Sequence, residues 1–133
     1  MGSVNWLAVL LAANFAAALR IVWYSALFGQ ATFFRPEHER TRPPSGRLAV
    51  RWGGLILLLA IPAAMFGHMF ARLTPGKPWL YFMMSGGVAL TFVLPALSLA
   101  LGRQGLQARA VVVEAGYWLA AFLAIGATFW ALR

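Results

Sequence analysis

Long apolar runs alternate with short polar segments along this 133-residue chain. Four runs are long enough to cross the roughly 30 Å hydrocarbon core of a bilayer as helices that rise about 1.5 Å per residue. They cover residues 4–28, 52–71, 79–101 and 110–132. The polar stretch 35–47 contains prolines and a glycine, which predict a loop. The pattern predicts an all-α integral membrane protein, a four-helix bundle with short loops that forms one domain.

Composition supports a membrane chain over a soluble one. Hydrophobic residues make up 62% of the sequence and charged residues 11%, whereas about a quarter of the residues in soluble domains are charged. The formal charge of +8 comes from basic residues that flank the apolar runs and form no single basic face. We therefore expect the lipid bilayer as a partner and no nucleic acid. The absence of cysteine excludes disulfide bonds and thiolate metal sites within the chain.

Basic residues at the ends of the runs predict an orientation, because cytoplasmic loops hold an excess of Lys and Arg. Seven lie on one side: Arg35, Arg40, Arg42, Arg47, Arg51, Arg103 and Arg109. Three lie on the other: Arg72, Lys77 and Arg133. Both termini are therefore predicted outside, and the first run, with no basic residue before it, is expected to stay in the mature protein. Aromatic residues mark the predicted outer boundary (Trp6, Trp79, Tyr81, Trp130) and the inner one (Phe28, Phe33, Phe34, Trp52).

Two charges lie inside the apolar runs, Arg20 in the first and Glu114 in the last. Such a charge costs at least about 2.5 to 3.5 kcal/mol near the bilayer centre, so a compensating partner is expected. Both residues lie within about eight residues of the predicted inner boundary, and at about 1.5 Å per residue their depths differ by only a few Å. We hypothesise an ion pair between them. The alternative is that Arg20 snorkels to the interface while Glu114 sits in headgroup water.

Helical spacing places several polar side chains on the same faces as these charges. Tyr24 is one helical turn after Arg20, and Tyr117 and Thr128 share a stripe with Glu114. Small residues continue the face of Arg20 in the column Ala8, Ala12, Ala16, and the last run has the column Gly116, Ala120, Ala124 next to the stripe of Glu114. These faces are typical of helix packing first and of a solute path second, and Asn14 is interpreted as a polar packing residue.

Other chemistry has weaker support. His68 in the second run is a possible haem or pigment ligand, although a hydrogen-bonded or interfacial histidine is the commoner case. The adjacent Glu37, His38 and Glu39 on a polar loop do not preorganise a metal site. The sequence shows neither a nucleophile with its base nor a phosphate-binding glycine loop. We therefore expect no enzymatic activity, no bound metal and no cofactor.

Three short motifs carry a resemblance to a known family. They are Asn5-Trp6-Leu7, Trp23-Tyr24-Ser25-Ala26-Leu27-Phe28-Gly29 and Glu114-Ala115-Gly116-Tyr117-Trp118-Leu119. The chain resembles the bacterial family of small membrane proteins called domain of unknown function 1761. It departs from the family pattern at Ala26, where a proline is typical, and at Arg20, where a small residue is expected. The resemblance implies a four-helix architecture in the bacterial inner (plasma) membrane and brings no assigned activity.

The leading functional hypothesis is an accessory or interaction protein, either a homo-oligomer or a subunit of a larger membrane complex. Four short helices bury little interior, and the small-residue faces exceed what the chain needs for its own closure. One alternative is a small dimeric transporter or channel that uses Glu114 and Arg20. A second alternative is a pigment- or haem-binding subunit that uses His68.

Overall fold

The computed structural model describes residues 3–28 and 45–133, with the side chains of Ala26 and of residues 45–48 left out. In this part of the chain it shows five α-helices: α1 (Trp6–Val22), α2 (Ser45–Leu73), α3 (Pro78–Val88), α4 (Leu94–Arg103) and α5 (Ala108–Ala131). Two π-helical turns, Trp23–Leu27 and Ala89–Val93, extend α1 and join α3 to α4. Phe33, Phe34 and the Glu37-His38-Glu39 triplet lie outside the described residues.

Among the described residues, four helical segments are long and apolar enough to cross a membrane, which confirms the predicted all-α membrane bundle. We call them the first to fourth spans: Trp6–Ser25, Ala49–Leu73, Pro78–Arg103 and Ala108–Ala131. Their ends differ by a few residues from the predicted boundaries. The largest extension is at the second span, because α2 already begins at Ser45 and continues through Pro62.

The start of α2 corrects the predicted loop at its C-terminal end. Residues 45–47 are helical, although the prolines and glycine of the stretch 35–47 predicted a loop throughout. Prolines directly before a helix or in its first turn are tolerated, because the first amides of a helix have no acceptor within it. Because α2 begins at Ser45, Gly46 lies in its first turn, and Arg47 and Arg51 are also on the helix.

The π-helical turn in the third span ends two residues before Pro95. The amide of Leu94 donates to the carbonyl of Ala89, five residues earlier. Pro95 has no amide proton and cannot continue the usual four-residue ladder, so a local π turn rearranges the backbone acceptors around it. The Ser85-Gly86-Gly87 segment is regular helix despite its two glycines, and Ser85 and Gly86 are buried.

The fourth span lies at the centre of the bundle. It packs against the first and third spans along much of its length, while the first span packs against the second. The first span contributes a face of small residues, because Ala8, Ala12 and Ala16 are fully buried. Where the first, second and fourth spans meet, a Cβ added at Gly67 would lie 3.1 Å from a side-chain atom of Val9. Small residues thus permit the close approach of these helices.

One residue of the predicted outer aromatic belt lies inside the bundle instead. Tyr81 is buried, and its ring centroid is 4.6 Å from that of Phe70. Trp6, Trp79 and Trp130 of the same belt are exposed on the bundle surface. Tyr81 lies three residues after the start of α3, at the end of its span, but on the helix face that packs against the neighbouring spans.

Candidate functional site

The structure brings the two intramembrane charges together. Arg20 Nη1 is 3.5 Å from Glu114 Oε1, so the side chains form an ion pair between the first and fourth spans. Arg20 lies about five residues before Ser25, and Glu114 about six residues after Ala108, hence roughly 7 to 9 Å from the ends of their spans. Both charges therefore lie at the same end of the bundle and at nearly the same depth.

Glu114 accepts hydrogen bonds from two further side chains. The hydroxyl of Tyr24 donates to Oε2 in a short contact, and the indole Nε1 of Trp118 donates to Oε1 over 3.1 Å. The carboxylate thus faces three donors, from Arg20, Tyr24 and Trp118. Hydrogen bonds to the charged form stabilise a buried carboxylate. Glu114 is held inside the bundle with both oxygens occupied.

Two tyrosine rings flank the guanidinium group of Arg20. Its Cζ lies 4.8 Å from the ring centroids of both Tyr24 and Tyr117, within the range of cation–π attraction. The hydroxyl of Tyr117 donates to the carbonyl of Ala16 over 3.1 Å. Tyr117 is fully buried, so this hydrogen bond satisfies its only polar group and links the same two spans again.

The π-helical turn Trp23–Leu27 positions the aromatic residues of the first span. The amide of Phe28 donates to the carbonyl of Trp23 over 3.0 Å, five residues back. Trp23 then reaches the fourth span, where its indole Nε1 donates to the carbonyl of Val113 over 3.1 Å. A Cβ at Gly116 would lie 3.0 Å from Trp23 Cζ2. Two of the short motifs, one in each span, therefore fit directly against each other, and glycine leaves the room for the indole.

We define the charge cluster as Arg20, Tyr24, Glu114, Tyr117 and Trp118. Its polar groups are hydrogen-bonded inside the bundle, and part of it is exposed at the bundle surface. The side chain of Glu114 is 12% exposed and that of Arg20 is 33% exposed. In the described part of the chain no buried side-chain nitrogen or oxygen lacks a hydrogen-bond partner. The charge cluster can fix the first and fourth spans in register. It can also present part of a guanidinium group at the surface of the bundle.

The structure does not bring the other candidate residues to this cluster. Asn14 is exposed on the first span and donates to the carbonyl of Leu10 over 2.8 Å. Thr128 is buried near the opposite end of the fourth span and donates to the carbonyl of Ala124 over 2.8 Å. His68 is exposed, and its ring centroid lies 5.9 Å from that of Trp6. Among the described residues no three His, Cys, Asp or Glu side chains come together as metal ligands.

Sequence reasoning did not assign Trp23 and Trp118 to the site. For Trp118 a signal existed, because it follows Glu114 by four residues and such pairs meet on a helix. For Trp23 a signal also existed, because it follows Arg20 by three residues, a spacing at which side chains on a helix are neighbours.

Asn5 was also missed, and it acts at the other end of the same two spans. Its Oδ1 accepts from the amide of Ala8 over 3.1 Å as the N-cap of α1, and its Nδ2 donates to the carbonyl of Leu132 over 3.0 Å. The asparagine therefore satisfies an orphan amide of the first span and an orphan carbonyl at the end of the fourth. The two spans are tied at both ends.

Comparison with known proteins places the chain in a family without assigning it an activity. No curated protein and no solved structure matches it. A family model described as Protein of unknown function (DUF1761) matches residues 7–130, which include all but the ends of the first and fourth spans. The match covers the charge cluster and the π-helical turn that positions it, and the chain belongs to this DUF1761 family.

Proposed function

We propose that this chain is a non-enzymatic accessory protein of the membrane, which acts by binding other membrane-embedded helices. The closed charge cluster carries the proposal. Both carboxylate oxygens of Glu114 are occupied by donors within the bundle, and Tyr117 is satisfied by a backbone carbonyl. A polar cluster satisfied in this way stabilises a fixed arrangement of helices and leaves no unpaired group inside to act on a solute.

The outer surface of the bundle supports the same proposal. The third span buries the smallest share of its residues, and Leu99 and Phe92 on it are each 72% exposed. The fourth span is the most buried and provides the scaffold. Helices in a membrane associate through close packing and polar contacts on such outer faces. The bundle therefore offers a rigid centre and broad outer faces for neighbouring helices.

The test is purification of the tagged protein from its native source in mild detergent and in lipid discs, followed by mass determination. We expect either a homo-oligomer or stable foreign subunits. A monodisperse monomer in both media would overturn the proposal. An absorption spectrum of the same sample examines pigment binding through His68, since a bound haem or pigment would add visible absorption.

A small transporter is the second candidate, favoured by the one-third exposure of Arg20. The guanidinium group and the acid beside it lie at the edge of the bundle, where a second bundle can complete a path. The test is flux of protons or small anions into liposomes. Transport that persists in Tyr117→Phe but vanishes in Glu114→Gln would support this candidate. Absence of flux in the unmodified protein would overturn it for the solutes tested.

We place the chain in a bacterial inner membrane with both termini on the periplasmic side. The excess of basic residues beside the charge cluster supports this orientation. Because the chain has no cysteine, single cysteines introduce unique labels. In intact cells an impermeant maleimide should label Gly76→Cys, in the turn between the second and third spans, but not Gln104→Cys, between the third and fourth. Labelling of Gln104→Cys but not of Gly76→Cys would show the opposite topology.

A further inference from the structure

The outward face of the first span carries a polar side chain at mid-membrane depth. Asn14 is exposed and lies about eight residues from one end of its span and about eleven from the other, within a few Å of the bilayer centre. Its Nδ2 donates to the carbonyl of Leu10, in its own helix. Within the described residues this is the only hydrogen bond of the Asn14 side chain.

One intrahelical bond does not satisfy an amide. The side chain of asparagine has two N–H donors and an oxygen with two lone pairs, so a second N–H and the oxygen still need partners. Two other exposed polar residues of the spans, Ser25 and Thr91, differ because a hydroxyl has a single proton. Ser25 donates its proton to Ile21 O, and Thr91 donates to Gly87 O. Lipid chains offer no hydrogen bond, so Asn14 requires a polar partner in the membrane.

The residues around Asn14 form a seam along the side of the first span that faces away from the bundle. Its members follow one another at alternating spacings of four and three residues: Leu7, Leu11, Asn14, Ala18, Ile21 and Ser25. All are exposed except Leu11, which is half-buried at the edge of the seam. A spacing of 3.5 residues on average is the repeat that lets two helices pack side by side in a left-handed pair. Ala18, one turn after Asn14, is small and lets the partner backbone come close there.

From the seam and its amide we infer that a second copy of this chain docks there, with the two Asn14 side chains hydrogen-bonded across a two-fold axis. An amide is both donor and acceptor and is complementary to itself. A second copy inserted in the same orientation carries its own Asn14 at the same depth, as a two-fold interface requires. A polar residue at one seam position also fixes the register of such a pair. This inference rests on the proposed role in helix association and specifies one partner and one surface.

Cross-linking tests the inference directly, because the chain has no cysteine. Ala18→Cys places a thiol on the seam one turn from Asn14. Ala96→Cys is the matched control: it is likewise exposed, lies on the third span, and is about seven residues from the same-side end of its span. Under mild oxidation in native membranes we expect a covalent dimer of the Ala18→Cys chain and little dimer of the Ala96→Cys chain.

Asn14→Leu in the Ala18→Cys background measures how much the Asn14 amide contributes to dimer formation. An interhelical hydrogen bond of this kind changes association by about threefold to thirtyfold, and the dimer fraction at low expression should fall accordingly. Thermal unfolding of the monomer should stay unchanged, because Asn14 bonds only to its own helix. Equal dimer fractions of Ala18→Cys with and without Asn14→Leu would overturn the inference. So would equal dimer fractions of Ala18→Cys and Ala96→Cys.

The outcomes separate this inference from the proposed function. If Ala18→Cys forms no dimer but the purified protein still carries foreign subunits, the self-association inference fails and the accessory role stands. If the protein is also a monomer in detergent and in lipid discs, both fail.

Discussion

Two clusters at opposite ends of the bundle are held together by different physical means. At the charge-cluster end, Arg20 and Glu114 form an ion pair between the first and fourth spans, surrounded by further hydrogen bonds. At the opposite end, the aromatic rings of the second, third and fourth spans meet. Phe70 lies at the centre of this aromatic cluster, with ring centroids 4.6 Å from Tyr81, 5.4 Å from Phe129 and 5.8 Å from Phe66.

The two clusters differ in how the surrounding lipid affects their stability. Lipid chains are as apolar as phenylalanine, so the aromatic cluster is not stabilised by escape from water but by the close fit of its rings. The charge cluster is stabilised by hydrogen bonds that lipid cannot replace. The aromatic end should therefore respond to changes of volume, and the charge-cluster end to loss of polar atoms.

The largest effect is expected at the aromatic end, from Phe70→Ala. The substitution removes a ring that contacts two other spans and leaves a cavity, which should lower the free energy of unfolding by about 3 to 5 kcal/mol. Phe92→Ala is the control, because Phe92 is 72% exposed and its removal leaves no cavity inside the bundle. Thermal unfolding in lipid discs measures both. Equal losses in the two variants would refute the role of close fit.

The next effect belongs to the charge cluster. Glu114→Ala removes the carboxylate that faces Arg20, Tyr24 and Trp118, and it should destabilise the bundle by about 2 to 3 kcal/mol, moderated by the partial exposure of Arg20. The double variant Arg20→Leu/Glu114→Leu leaves no unpaired charge and should recover most of that loss. A double variant that is less stable than Glu114→Ala would show that the charges stabilise beyond their mutual compensation.

The sequence predicts the architecture of this chain better than its packing. Apolar runs of about 20 residues predict four spans, because the bilayer thickness alone sets their length. The meeting of Arg20 and Glu114 follows from depth, since each is an isolated charge near the same predicted boundary. Depth does not settle which aromatic residues line the cluster. That depends on rotation about the helix axis, which a π-helical turn alters by inserting one residue.

Neighbouring helices explain the remaining differences. Tyr81 resembles a belt residue by its position at a span end, yet it packs on Phe70 because the second and third spans meet there. Thr128 shares a stripe with Glu114 in sequence but lies about fourteen residues away, roughly 21 Å along the helix. A shared face does not mean a shared site when the helix is this long.

The third prediction concerns a glycine at the contact between the third and fourth spans. A Cβ at Gly126 would lie 2.8 Å from the backbone oxygen of Tyr81 and also against Ser85 Oγ, so Gly126→Ala must push the helices apart. We expect a loss of about 1 to 2 kcal/mol. At Gly87 nothing lies within 4 Å of an added Cβ, so Gly87→Ala should be neutral or slightly stabilising. Equal unfolding temperatures for the two variants would contradict the close approach.

The smallest expected effect compares one substitution at the two ends. Tyr117→Phe and Tyr81→Phe each remove a hydroxyl from a buried ring and keep its volume. The Tyr117 hydroxyl donates to Ala16 O, so its loss should cost about 1 kcal/mol, because the carbonyl loses an interspan partner that lipid cannot supply. Tyr81 contributes ring contacts to the aromatic cluster, so Tyr81→Phe should stay within about 0.5 kcal/mol of the unmodified chain. A larger loss at Tyr81 than at Tyr117, measured by unfolding in the same lipid discs, would mean that the Tyr81 hydroxyl contributes to stability beyond the ring contacts.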